Sequence, residues 1–273
     1  MSSVKQELFL LHTLLFPSLL VKALRLRALL TIPIQANPEM AFGGLPVAPK
    51  DDRQGCSAWF AETRRVEEEV VVSERSVLKP VFGNRSRNIT VVDEGERAPS
   101  SEEPMLVQPF VEGEEYALNV DREDEVLVYS VTRIDAPGDI WESEARFEDV
   151  TEQVLSSDLL DAVESACDEV GLRFGRLDVK TRSLDALRNG DFLVLEVNGS
   201  LGLDMRLYTA ASLTRKWLWL EEYWSRMCRV ASPTVDDGAP RGSWRVVTSF
   251  LLWPGSAHVL WDEVKDKYLA PCS

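Results

Sequence analysis

Arg176, Asp178, Glu196 and Asn198 are the side chains of this chain best suited to act together. The first two lie in Arg176-Leu-Asp-Val-Lys180, the others in Asp191-Phe-Leu-Val-Leu-Glu-Val-Asn198. Both runs are apolar and β-branched, and Ser183 to Gly190 between them is a short polar loop. They read as an antiparallel strand pair. Alternate residues of a strand share a face, so Arg176 projects with Asp178, and Glu196 with Asn198. Where those faces coincide, a guanidinium, two carboxylates and an amide oxygen converge among hydrophobic residues. Oxygen donors of that kind suit a hard divalent cation such as Mg²⁺, above all one shared with phosphates. The competing reading is a strand pair with a solvated polar face.

Two further constellations point toward phosphate and nucleoside chemistry. Lys79 sits on an expected strand just before a turn containing Gly83, Asn84 and Ser86. A lysine there reaches phosphate oxygens, while turn N–H groups and the Ser86 hydroxyl add donors. Arg85 and Arg87 make the same turn basic. Farther on, Gln108-Pro109-Phe110-Val111 precedes Glu112-Gly113-Glu114-Glu115. Such a segment offers backbone groups to an adenine edge, and a carboxylate just beyond it accepts both ribose hydroxyls. Each alone also fits a surface lysine or an ordinary linker.

The elements that must position these residues follow from local pattern. Residues 1–35 are apolar and expected to be helical. A Pro/Gly-bearing connector follows, from Asn37-Pro38 to Pro49. Strands are expected over Glu67–Ser73, from Val77, over Asn88–Asp93 (a hairpin with the preceding one), Met105–Val111, Glu115–Val120 and Val126–Ile134. Helical spacing predicts helices over Leu155–Val170, ending before Gly171, and over Leu213–Val230. The aromatic stripe of the latter (Trp217, Tyr223, Trp224) reads as core packing.

Composition narrows the function classes. A net charge of −15 over 273 residues argues against a nucleic-acid-binding surface. Four separated cysteines (Cys56, Cys167, Cys228, Cys272) fit reduced thiols in a cytoplasmic protein rather than a zinc site or a disulfide framework. The only histidines, His12 and His258, are far apart, which disfavours a Ser-His-Asp triad or a His-rich metal site. Leu8 to Val21 is strongly apolar. Lys22, Arg25 and Arg27 interrupt a full membrane span, and Pro17 is expected to kink a continuous helix. One or two buried or partner-facing helices are the first reading here; a membrane or targeting role for residues 8–34 is the second.

The order of these features resembles the ATP-grasp superfamily, most closely D-alanine–D-alanine ligases and related carboxylate–amine ligases. The resemblance covers about residues 44–206. It is carried by Gly44-Leu-Pro-Val-Ala-Pro49, Val77-Leu-Lys-Pro-Val-Phe-Gly83, Ser86, Gly113-Glu-Glu-Tyr116, Ile134-Asp-Ala-Pro-Gly138, Glu144-Ala-Arg-Phe147, Gly175-Arg-Leu-Asp-Val179 and Leu195-Glu-Val-Asn198 with Gly202. It implies an α+β ATP-grasp fold, two α+β subdomains sandwiching the nucleotide. The corresponding division is an apolar helical segment 1–43, a small subdomain 44–118, a large subdomain 119–235 with the metal site, and a tail 236–273. It implies that Lys79 and Ser86 hold phosphates and that Gln108, Phe110 and Val111 line the adenine site. Glu115 would take the ribose, and Asp178, Glu196 and Asn198 would bind Mg²⁺, with Mn²⁺ as a substitute. Arg176 would stabilise charge on the reacting carboxylate or tetrahedral intermediate, and Arg146 would stand in for a loop lysine on the γ-phosphate.

The reading is therefore an ATP-dependent carboxylate–amine ligase acting through an acylphosphate on an amino acid or short peptide. A homo-oligomer is compatible with it. The chain departs from the pattern in several places. Apolar residues replace the N-terminal substrate domain, no lysine lies between Lys22 and Lys50, and the turn Gly83-Asn-Arg-Ser-Arg-Asn88 is poor in glycine. Phe147 replaces a loop tyrosine, and Leu203-Asp-Met-Arg-Leu207 lacks a substrate-holding serine. D-Alanine specificity is not expected. The alternatives are a peptide or glutamate ligase of the broader superfamily, and a non-catalytic or degenerate nucleotide-binding protein docking a partner through its apolar N-terminus.

Overall fold

The computed structural model of the chain describes residues 3–25, 32–40, 58–66, 70–81, 89–97, 105–135, 145–200 and 203–231. Its helices are α1 (Ser3–Arg25), α2 (Ile32–Gln35), α3 (Thr151–Val154), α4 (Ser157–Val170), α5 (Leu184–Arg188) and α6 (Leu213–Ala231). The smaller of two antiparallel sheets holds β1 (Arg64–Val66), β2 (Ser76–Pro80), β3 (Thr90–Val92) and β4 (Met105–Pro109), in the order β1-β4-β2-β3. The larger holds β5 (Glu114–Arg122), β6 (Val126–Asp135), β7 (Arg146–Asp149), β8 (Phe174–Thr181) and β9 (Leu193–Asn198), in the order β7-β6-β5-β8-β9.

Alternation along the larger sheet separates its two faces. Tyr116, Leu118, Val120, Val128, Val131, Leu177, Val179 and Val194 share one face and pack against α4, whose Leu159, Val163, Ala166 and Val170 are buried. Each such Leu or Val stabilises the fold by about 1.5–3 kcal/mol. The other face carries the polar residues of β5, β8 and β9. Its far end is covered by α6, where Tyr223, Met227 and Val230 pack on Phe174 and Tyr129.

A β-bulge in β9 decides what stands on the polar face. Val179 opposes Val194, yet Asp178 opposes Glu196, so Leu195 is an extra residue. Without it, strict alternation would put Glu196 and Asn198 on the face of the buried Val194. The bulge turns both onto the face of Arg176 and Asp178 and returns Val197 toward the core.

The expected hairpin forms, with β2 pairing β3 and β4. Three boundaries differ from expectation. The first strand begins at Arg64 rather than Glu67; residues 67–69 lie outside the described ones, and Val71 makes only a single bridge to Arg97. The helix expected from Leu155 begins two residues later, at Ser157, because Ser156 caps α4 by accepting from the Leu159 N–H at 3.1 Å. The loop Ser183–Gly190 contains α5, capped by Ser183 and anchored by the fully buried Leu187.

At the N-terminus α1 runs through Pro17. Pro17 and Thr13 are exposed, so the Thr13 carbonyl left without its helical donor faces solvent rather than the core. Leu11 and Leu15 are buried against Leu207 and Leu220, and Glu7 accepts from Lys216 of α6 at 2.9 Å. Among the described residues, no helix is long and apolar enough to cross a membrane. Asn37, just beyond α2, is fully buried. Its Oδ1 accepts from the Arg173 and Phe174 N–H groups, and its Nδ2 donates to the Phe174 carbonyl and the Ser200 hydroxyl, at 2.7–2.8 Å.

Candidate active site

The register of β8 and β9 sets Arg176 opposite Asn198 and Asp178 opposite Glu196. Arg176 clasps Asp178 with both arms of a fork, Nε to Oδ1 at 2.6 Å and Nη2 to Oδ2 at 2.8 Å. Its Nη1 donates to the Leu203 carbonyl at 2.9 Å. Asn198 Nδ2 donates to Asp178 Oδ2 at 2.7 Å. Both members of the Arg176–Asp178 pair are only 14% exposed. Burial opposes the Arg176 charge, but Asp178 and then Glu196 outweigh it and hold the guanidinium charged well above its ordinary range.

One strand over, Glu115 of β5 opposes Lys180, on the same face as Asp178. Burial, and next the Asp178 charge, push the Glu115 carboxyl from 4.5 up to about 7; Lys180 and Arg176 pull the other way without cancelling the rise. Close approach of the chains depends on two glycines. At Gly113 (φ +127°) a Cβ would lie 2.3 Å from the Thr181 carbonyl oxygen, and at Gly175 (φ +155°) 2.3 Å from that of Asn198.

The smaller sheet meets this face at the bulge. Lys79 Nζ donates to the Leu195 carbonyl at 3.0 Å and to Gln108 Oε1 at 3.3 Å. Gln108 Nε2 donates to the Thr63 hydroxyl at 2.9 Å. Lys79 and Gln108 are both buried, and the Leu195 carbonyl that Lys79 meets is one residue before Glu196. The segment 110–113 joins the two sheets. Phe110 there lies under the Arg75 guanidinium, 4.4 Å from its ring centre, and 5.0 Å from Lys180 Nζ. Lys180 also donates to the Val111 carbonyl at 2.9 Å.

The structure thus brings together Arg176, Asp178, Glu196, Asn198 and Glu115, with Lys79 and Gln108 arriving from the second sheet. Phe110 and Val111 join them through Lys180. Ser86 lies outside the described residues. Arg146 is not brought to the cluster: it opens the edge strand β7, opposite Asp135 and exposed, and the β7 residue on the Glu115 face is Phe147. Lys180 has no role in the sequence reading, although its place two residues beyond Asp178 on one strand face was a usable signal. Asn37 gave no such signal.

The donor set fits a hard cation. Asp178 and Glu196 supply carboxylate oxygens and Asn198 an amide oxygen, on one face. Arg176 and Asn198 hold the Asp178 carboxylate in a fixed orientation on this face. Among the described residues no group of three or more His, Cys, Asp or Glu side chains is placed to hold a metal ion, so a third protein donor beside Asp178 and Glu196 would be the Asn198 amide.

The sequence pattern of the ATP-grasp domain matches residues 58–201, more than half of the chain. The chain belongs to the ATP-grasp family. The matched span includes Lys79, Gln108, Glu115, Arg176, Asp178, Glu196 and Asn198, and stops short of α6. No curated protein matches the chain. Among solved structures, it is similar to D-alanine–D-alanine ligase from Bacillus anthracis complexed with ATP, at 14% identity and a TM-score of 0.40, covering 65% of this chain and 60% of that one. VanG D-Ala:D-Ser ligase from Enterococcus faecalis has 14% identity and a TM-score of 0.41, with 76% and 62% covered. The ATP-grasp ligase PsnB, with minimal precursor, Mg and ADP, has 17% identity and a TM-score of 0.37, with 60% and 54% covered. The chain spans less than two thirds of each of these proteins.

Proposed function

We propose that this ATP-grasp protein is an ATP-dependent carboxylate–amine ligase that works through an acylphosphate. The observation that carries the reading is the bulge at Leu195. It puts Glu196 and Asn198 beside Asp178 and Arg176, and aims the adjacent carbonyl at Lys79 of the facing sheet.

In this reading Glu115 accepts the ribose hydroxyls, Phe110 and Val111 border the base with Gln108 behind them, and Lys79 holds phosphate oxygens. The family resemblance alone assigns Ser86 and Arg146 to the phosphates, and Arg146, on the exposed edge strand β7, would have to move to reach them. Asp178, Glu196 and Asn198 would hold Mg²⁺, which when bound neutralises phosphate charge and aligns the reacting oxygens. Arg176, fixed by Asp178 and Leu203, presents a permanent cation to the substrate carboxylate and to the oxyanion formed when an amine attacks. The carboxylate oxygen takes the γ-phosphoryl group and releases ADP. The amine nitrogen then forms the C–N bond as phosphate leaves.

The test is ADP formation from Mg·ATP with a panel of carboxylic acids and amines, in wild type and Glu196→Gln. Turnover that Glu196→Gln abolishes, in a variant with unchanged circular dichroism, supports the ligase reading. Equal turnover in the two proteins contradicts it.

A further inference from the structure

The polar face continues past the candidate metal residues toward the opposite edge of the larger sheet. Ala117 lies directly beside Asp178, and the row through Glu115 runs on to Ile134 and Phe147. Ala117, Ile134 and Met205 form a sealed apolar floor. Phe147 and Tyr208 rest on it with ring centres 5.5 Å apart and part of each ring still open to solvent. The short 3₁₀ turn Met205–Tyr208 carries Tyr208, and the Arg176 bond to Leu203 ties that segment to the site. Tyr208 also interacts electrostatically with Arg176. A fixed cation therefore stands at one end of this surface and a half-open aromatic pair at the other.

We propose that the surface between Arg176 and the Phe147–Tyr208 pair receives the carboxylate substrate, and that this substrate is an acid with an aromatic or bulky apolar side chain. The assignment rests on the ligase reading above. Three of the five Arg176 N–H donors are engaged, by Asp178 and Leu203, so two remain for an incoming carboxylate. A side chain extending from it meets Phe147 and Tyr208, which the buried Ala117, Ile134 and Met205 back. A charged group placed against that aromatic pair would lose hydration without gaining a counter-ion from it. An aromatic ring instead gains area and edge or offset stacking.

The experiment is hydroxamate formation by the full chain with Mg·ATP, hydroxylamine and one acid at a time: phenylalanine, leucine, alanine or glutamate, each as both enantiomers. The acid oxygen bonds to the γ-phosphorus and ADP leaves. Hydroxylamine nitrogen then bonds to the acyl carbon, the carbon–oxygen bond to phosphate breaks, and the nitrogen loses a proton to solvent. Thermal shift with each acid, and separately with Mg·ATP, gives a readout independent of turnover. The expected result is a preference for phenylalanine or leucine over alanine and glutamate in both readouts. Tyr208→Ala should lower the phenylalanine response on the order of fivefold, the loss of one aromatic contact, while Tyr208→Phe retains it. A normal Mg·ATP shift with no response to phenylalanine or leucine overturns the assignment, as does a preference for alanine or glutamate. Absence of the Mg·ATP shift itself overturns the ligase reading instead.

Discussion

Glu115→Gln should make the metal-free protein more stable at alkaline pH while weakening nucleotide binding. Glu115 is a carboxyl that burial and Asp178 raise from 4.5 to about 7. Above pH 7 the folded chain holds an anion that unfolding returns to water. Below 4.5 the group is protonated in both states. The stability linked to it is therefore fully present below pH 4.5 and lost as pH rises through 7. At roughly 1.4 kcal/mol for each pH unit, the loss amounts to at most about 3 kcal/mol. Glutamine keeps the shape and removes the charge, so the variant should gain up to that amount near pH 8.5 and much less near pH 5.5. The assay is urea unfolding with EDTA at the two pH values, followed by Mg·ATP titration of both proteins. Mg²⁺ held by Asp178 and Glu196 should shrink the difference at high pH, because it offsets the charges that help raise Glu115. A stability change equal at both pH values, or a loss near pH 8.5, would refute the reasoning.

Other perturbations test the supports of the site. Asn37→Ala removes four hydrogen bonds, three of them buried, that tie Arg173, Phe174 and Ser200 together, and should cost about 3 kcal/mol by chemical denaturation. Asn37→Asp, which keeps the two acceptor bonds, should cost less at acid than at neutral pH, where its buried charge is added. Gly175→Ala drives a Cβ to 2.3 Å from the Asn198 carbonyl, so β8 and β9 must separate; a drop in melting temperature accompanied by loss of Mg·ATP response is expected. Lys79→Ala should weaken ATP far more than adenosine in parallel titrations, whereas an equal loss for both would remove Lys79 from the phosphates.

Much of this site was legible because strand alternation is a short-range rule. Arg176-x-Asp178 and Glu196-x-Asn198 had to share a face within each strand wherever the chain folded as strands. That the two faces coincide was not legible. It depends on Leu195 bulging, which follows from the demand that Val194 and Val197 both reach the core while the residues between do not. The short helix α5 escaped for a related reason: its cap Ser183 is a single residue within a polar stretch, and burial of Leu187 makes it decisive. Asn37 acts across more than 130 residues of chain, beyond the reach of any local pattern.

The most direct measurement is a thermal-shift titration with Mg·ATP, Mg·GTP, and ATP plus EDTA, on wild type and Asp178→Asn. Ligand at a hundred times its Kd adds about 2.7 kcal/mol of stability. The ATP-grasp ligase account predicts a shift specific to Mg·ATP that EDTA reduces and Asp178→Asn largely removes. A well-folded wild-type protein that shifts with none of these nucleotides, or shifts equally in Asp178→Asn, would contradict it.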